Sequence, residues 1–284
     1  LRTALVLGGG GVAGIAWQTG LLHGMACSGV DVTAPGWSDM VLGTSAGSTV
    51  AAQVTSGTSL GDLYARQIDP SLQVDELRAD GSLTDVLDLF ARATERAGGN
   101  EQEFARLVGA AAIAARTVPE AERRTVIAQR LPSHRWPDRD LRVVAVDAVT
   151  GRHRVLDRGS GVQLVDAVAA SCAIPGMWPP VTIGDHRYVD GGVRSDENVD
   201  LAVGFARVLV LKVGLVEPSG GKFERERARL IARGSAVELV QPDEDAVAAI
   251  GPDPTDPARR ADTAEAGFAQ GGRIADAIGA FGRA

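Results

Sequence analysis

The sequence predicts an α/β fold, a mostly parallel central sheet flanked by helices, and three observations lead there. Residues 3–7 form an unbroken run, chiefly apolar, that stops at four consecutive glycines, as expected of a strand buried on both faces. After a helical segment a second short run at 39–42 again stops at glycine and passes into another helical segment. Later strand signals return singly between helical stretches, the order that parallel strands with crossover connections require.

Taken in order, residues 3–7 are the first strand and 8–14, Gly-Gly-Gly-Gly-Val-Ala-Gly, a glycine loop. A helix then fits, with Ile15, Leu22, Met25 and Ala26 on one face and Gly29 as its stop. The strand at 39–42 runs into Gly43-Thr44-Ser45-Ala46-Gly47, and a helix continues to about residue 57. Residues 60–135 are rich in Ala, Arg and Glu and lack strand signals, so they read as a helical insert, either a cap or plain crossover helices. Strands are expected at 141–148 and 152–156, with a helix over 163–171. The prolines of 173–181 exclude regular structure there. A short strand closes at Tyr188-Val189, a buried strand covers 207–213, and another covers 236–241. Loops are expected at 218–221 and 252–257, and a terminal helix over 259–281.

At 284 residues the chain is long enough for one substantial domain, with 222–284 as a C-terminal extension of it. Aromatic residues are only 4%, so the core must rest on Ala, Val, Leu and Ile. The net charge of -7 argues against nucleic acid as a partner, because phosphate binding needs a basic face. Lys212 and Lys222 are the only lysines, which disfavours Ser–Lys and Schiff-base chemistry. Cys27 and Cys172 read as reduced, buried small hydrophobes. No Cys/His cluster has zinc spacing, and no metal or cofactor is expected. Neither a leader nor an apolar run of ~18 residues is visible, so a cytoplasmic or peripheral membrane location is expected.

The strongest chemical signal is Gly43-Thr44-Ser45-Ala46-Gly47. A G-x-S-x-G turn between strand and helix forces the serine into a sharp bend and exposes its hydroxyl at a helix N-terminus. There the helix dipole and free N–H groups favour developing negative charge. The glycine loop at 8–14 can converge its N–H groups on an anion, with two possible uses. Beside Ser45 it is an oxyanion hole; in a dinucleotide-binding oxidoreductase it would hold a pyrophosphate, since Gly8-x-Gly10-x-x-Ala13 meets the loose fingerprint. The latter needs a second strand ending in an acid, and the punctuated stretch before Asp31 does not read as one. As base for the serine, Asp190 stands at a strand end before Gly191-Gly192. His153 or His186, with Asp147 as acid, is the alternative, although no histidine follows His186.

Together these blocks resemble the patatin-like phospholipase family over roughly residues 3–213. The glycine loop, Gly43–47, the segment Ala170-Ser171-Cys172-Ala173-Ile174-Pro175 with Pro179-Pro180, Asp190-Gly191-Gly192 and Asn198 match in order. Ala13 stands where many members carry Arg or Lys. The resemblance implies a three-layer fold with a helical cap-like region and a Ser45–Asp190 dyad. Gly10 and Gly11, with Gly9 and Ala46, would hold the oxyanion without a metal. The implied substrates are lipid acyl esters met at a transient membrane or micelle surface. Ile174, Met177 and Trp178 are candidates to line an acyl groove, although each reads equally as core. A non-catalytic relative that binds lipid or protein is the other implied reading.

Overall fold

The computed structural model describes residues 1–214 and 221–283, so all of the 218–221 loop except Gly221 lies outside the described residues. The first half of the chain gives β1 (Thr3–Leu7), α1 (Gly11–Cys27), β2 (Met40–Thr44), α2 (Ala46–Val54), α3 (Leu60–Ile68), α4 (Leu83–Ala97), α5 (Glu101–Ala114) and α6 (Glu120–Arg130). The second half gives β3 (Asp140–Asp147), β4 (His153–Leu156), α7 (Leu164–Ser171), β5 (Val181–Ile183), β6 (His186–Asp190), β7 (Arg207–Leu211), α8 (Lys222–Ala232), β8 (Ala236–Val240), α9 (Glu244–Ile250) and α10 (Arg260–Arg283). The expected elements are present, with three additions: the three-residue edge strand β5, too short to leave a periodic signal, and the helices α8 and α9 within the C-terminal extension.

The strands form one sheet in which β3, β2, β1, β7 and β8 run parallel, while β4, β6 and β5 are antiparallel additions at the β3 end. Alternation along the strands divides the core into two faces. Leu5, Leu7, Val41, Val143, Leu209 and Leu211 pack with Trp17 and Leu21 of α1, Val50 of α2 and Val168 of α7. Ala4, Val6, Met40, Leu42, Val208 and Val210 pack with Phe223 and Leu230 of α8. Beyond them Val146 and Val189 meet Ala105 and Val108 of α5. Helices therefore cover both sides of the sheet in three layers.

Helix α1 departs from the sequence reading. It is buried nearly all round, Trp17, Gln18 and Thr19 included, because α10 closes the side away from the sheet. The two helices touch backbone to backbone. A Cβ on Gly20 or Gly24 would lie 2.0 Å from the Ala264 carbonyl oxygen or 2.1 Å from that of Phe268; one on Gly267 or Gly271 would lie 2.5 Å from the oxygen of Trp17 or 2.2 Å from that of Leu21. Trp17 Nε1 donates to Gln270 Oε1 at 2.8 Å across the same contact. Cys27 also departs: it is exposed beyond the end of this packing, whereas Cys172 is buried.

The helical stretch between β2 and β3 is split between the layers. α5 lies on the α8 side, so close that a Cβ on Gly109 would meet the Ala148 carbonyl at 2.1 Å. Ile127 of α6 joins the opposite face. Residues 28–39, where a dinucleotide fold needs its second strand, contain none, and Asp31 accepts hydrogen bonds from Thr33 in a local turn.

Candidate active site

The register of β3 brings the two key residues together. Ala145 and Val146 pair with β4 and with β6, so those two strands occupy opposite edges of β3. Val143 and Val144 pair with β2 and with β4, so β2 also lies opposite β4. β2 and β6 therefore share one edge and meet end to end: Thr44 lies across from Val144, and Asp190 from Ala145. The turn after β2 carries Ser45, whose Oγ donates to Asp190 Oδ2 at 2.7 Å, across 145 positions of sequence.

The turn is as tight as its glycines imply. Ser45 has φ 54° and ψ -123°, a left-handed-side conformation that side chains rarely adopt. A Cβ on Gly47 would lie 2.0 Å from the Leu7 carbonyl, and one on Gly43 would lie 2.5 Å from the Gly47 carbonyl, so neither tolerates substitution. Three neighbours fix the serine backbone: its N–H donates to Ser171 Oγ at 2.9 Å, and its carbonyl accepts from Ser48 Oγ at 2.7 Å and Cys172 Sγ at 3.1 Å. The Asp190 N–H donates to the Ala173 carbonyl at 3.0 Å, so the 171–173 block holds both partners. Asn198, fully buried at φ 51°, donates from Nδ2 to Thr44 Oγ1 and to the Gly191 carbonyl, pinning the end of β2 to the turn after Asp190.

Asp190 is 5% exposed. Burial pushes its carboxyl up to about 7, against the pull of hydrogen bonds from the Gly192 N–H and the Ser45 hydroxyl.

The glycine loop lies over this pair. A Cβ on Gly9 would touch Ser45 Cβ at 3.5 Å, and one on Gly14 would touch Ala46 Cβ at 3.3 Å. The amides of Gly8 and Gly9 are already committed, to the carbonyls of Leu211 and Asp196 at 3.0 Å each. Gly9 thus drops out of the expected set of free N–H donors: the loop turns its amide away from Ser45 to fasten itself to 196. Gly10 and Gly11, at φ 151° and 63°, turn the chain into α1. Among the described residues no backbone acceptor takes the amides of Gly10, Gly11, Val12 or Ala46. The N-termini of α1 and α2 therefore open on the same space, which is where an anion is favoured.

A model of the patatin-like phospholipase family matches residues 5–203, the span that holds the glycine loop, Ser45 and Asp190. The chain belongs to that family. Its members are lipid acyl hydrolases, which is the general chemistry to which this patatin-like fold is put. Among solved structures, VipD from Legionella pneumophila is similar, with a TM-score of 0.50 at 14% identity over 97% of this chain and 67% of VipD. At that identity the likeness is one of fold. No curated protein sequence matches the chain.

The histidines of this patatin-like chain lie elsewhere. His186 Nδ1 and Asp147 Oδ2 are 2.6 Å apart, but His186 begins β6 whereas Asp190 ends it, and its side chain is 57% exposed. His153 starts β4, on the edge of β3 away from Ser45. The alternative triad is therefore an exposed histidine on a buried aspartate and a separate strand residue; neither histidine reaches the serine.

A cleft opens beside Ser45, lined by Gly11, Val12, Ala46, Ile174 and Trp178 among others. Met177 is not part of that lining; it packs against Val86 and Trp178 in a small apolar cluster. The remaining wall was not legible in the sequence. It carries Glu76 and two arginines of α6, Arg123 and Arg130. Glu76 receives Arg130 through Nε and Nη2 at 3.2 and 2.5 Å, and Arg260 Nη2 at 2.6 Å. Burial pushes the Glu76 carboxyl up, the three arginines outweigh it, and the group stays ionised below its ordinary range. No spacing signals this cluster, because its members come from a loop, a crossover helix and the C-terminal helix. Among the described residues no helix is long and apolar enough to cross a membrane.

Proposed function

We propose that this chain hydrolyses lipid carboxylic esters, of the phospholipase A or lysophospholipase type, with Ser45 as nucleophile and Asp190 as its general base. The 2.7 Å hydrogen bond from Ser45 Oγ to Asp190 Oδ2, at a strained strand-to-helix turn, is the observation that carries this reading.

An ordinary aspartate is too weak a base for a serine hydroxyl at neutral pH. Asp190 is poised near 7 by burial, close to the value at which a general base works best. As Oγ attacks the acyl carbonyl, its proton passes to Asp190 Oδ2, and the carbonyl oxygen becomes negative. The amides of Gly10, Gly11 and Ala46, at the mouths of two helices, are placed to receive that charge; Val12 joins them as a further donor. Protonated Asp190 then returns its proton to the leaving alcohol, and water activated by the same carboxylate releases the acid from Ser45. Ile174 and Trp178 would guide the acyl chain. Contact with a membrane or micelle surface follows from such a substrate and would be transient.

A fluorophosphonate probe tests the nucleophile. The wild-type protein should be labelled at Ser45 and should cleave short p-nitrophenyl acyl esters, while Ser45→Ala should do neither. Labelling that persists in Ser45→Ala, or full turnover in a folded Asp190→Asn, overturns the assignment.

A further inference from the structure

The wall of the cleft opposite the glycine loop carries more positive charge than it neutralises. Glu76 faces three guanidinium groups, those of Arg123, Arg130 and Arg260, with side chains no more than 8% exposed. Two of the three bond it directly, which occupies both of its oxygens. Arg123 is left over. Its Nη1 stands 3.8 Å from Glu76, beyond hydrogen-bond reach, and neither Nε nor Nη1 has an acceptor among the described residues although both are buried. Arg123 as a whole is 5% exposed, with its guanidinium 3.8 Å above the Trp178 ring.

A buried cation whose donors lack acceptors is costly, and native proteins seldom keep one without use. Stacking on Trp178 holds the plane of the group but supplies no acceptor for an N–H. Burial and the neighbouring Arg130 depress the Arg123 guanidinium to about 9 against the weaker pull of Glu76, which still leaves it charged at neutral pH. Arg123, Arg130 and Ser45 line the same cleft.

We propose that Arg123, supported by Arg130, is a specificity-determining subsite that binds an anionic oxygen group of the substrate while its ester carbonyl sits at Ser45. This rests on the hydrolase reading above and adds to it a choice: esters carrying a phosphate or a carboxylate near the scissile bond are preferred over neutral ones. Arg is suited to that task, since its planar fork pairs with two oxygens of either group. Glu76 then acts as a fixed brace that spaces the guanidiniums and keeps Arg130 and Arg260 from collapsing into the cleft.

Matched soluble esters test this in the full-length protein. One pair is 1-hexanoylglycerol 3-phosphate against 1-hexanoylglycerol, which places the charge on the alcohol side. The other is the mono-p-nitrophenyl ester of adipic acid against p-nitrophenyl hexanoate, which places it on the acyl side. In at least one pair the wild type should prefer the anionic member in kcat/KM, and Arg123→Gln should lower that preference by at least about tenfold, the worth of a charge-assisted hydrogen bond. The pair that responds identifies the source of the anion. A preference in Arg123→Gln that stays within threefold of wild type, whether both rates fall together or neither does, assigns Arg123 to structure and overturns the subsite. An arm without a mutation guards against a variant that fails to fold: dibutyl phosphate should inhibit wild-type hydrolysis of the neutral ester competitively and neutral tributyl phosphate should not. Equal inhibition by both, or by neither, also overturns the subsite. Absence of turnover on all four esters would sink the hydrolase reading itself, a result distinct from turnover without discrimination.

Discussion

Two regions of this molecule bring backbones closer than a Cβ allows, and they leave opposite things behind. Where α1 crosses α10, the glycines let carbonyls pack against Cα atoms, and no residue of the contact has a positive φ. Where β2 meets β6, the same closeness forces Ser45 to φ 54°, buries the Asp190 carboxylate and sets the turn under a glycine loop with unused amides. The first contact converts close approach into dispersion energy and a fixed helix pair. The second stores strain and an incompletely solvated charge at the place where chemistry is proposed, as functional sites commonly do. The chain thus keeps its regular packing behind the sheet and its compromises at the carboxyl ends of the strands.

The sharpest way to break the contrast is at the serine. Ser45→Ala should lower ester turnover by roughly 10⁴-fold or more, with little change in melting temperature. Next comes the charge. If ionised Asp190 is the base, kcat/KM should climb about tenfold per pH unit below a bend near 7, and Asp190→Asn should remove the bend together with most of the rate. The helix crossing should respond in the opposite sense. Gly24→Val should cost on the order of 3 kcal/mol in denaturant unfolding, since its Cβ would sit 2.1 Å from the Phe268 oxygen, while the protein that remains folded keeps its specific activity.

Two smaller effects sharpen the comparison. The carboxyl of Asp190 ionises near 7 when folded and near 3.8 when not, so between those values the folded chain holds a proton that the unfolded chain has lost. Stability contributed by this group is therefore full below about 3.8 and falls as pH rises toward 7. Asp190→Asn should gain on the wild type in melting temperature by several degrees, on the order of 5 °C, between pH 4 and pH 8. A constant difference across that range would mean that the carboxylate is well solvated. Finally, Ser45→Gly should be more stable than Ser45→Ala by about 1 kcal/mol in denaturant unfolding, because glycine accepts the left-handed-side conformation without strain.

Much of the fold and the two central residues were readable in one dimension, because their causes are local. Apolar runs stopped by glycine located β1 and β2, and G-x-S-x-G and Asp-Gly-Gly marked two turns whose chemistry depends on residues next to one another. The misreadings share a cause as well. α1 looked amphipathic until α10 covered its far side, and Gly9 looked like a free donor until Asp196 took its amide. Met177 read as a candidate for the groove, yet it packs behind it.

By itself the sequence determined where most of the strands and helices lie, where the G-x-S-x-G turn falls, and that an acid rather than a histidine stands in the matching block. Only the tertiary structure decided that β2 and β6 share an edge of β3 and so press Ser45 against Asp190, and that Glu76 gathers arginines from distant segments beside the serine. The physical reason is range. Turns and periodicity are set by neighbours within a few residues, whereas strand pairing and the solvation of a buried charge depend on groups that only folding brings within a few ångströms.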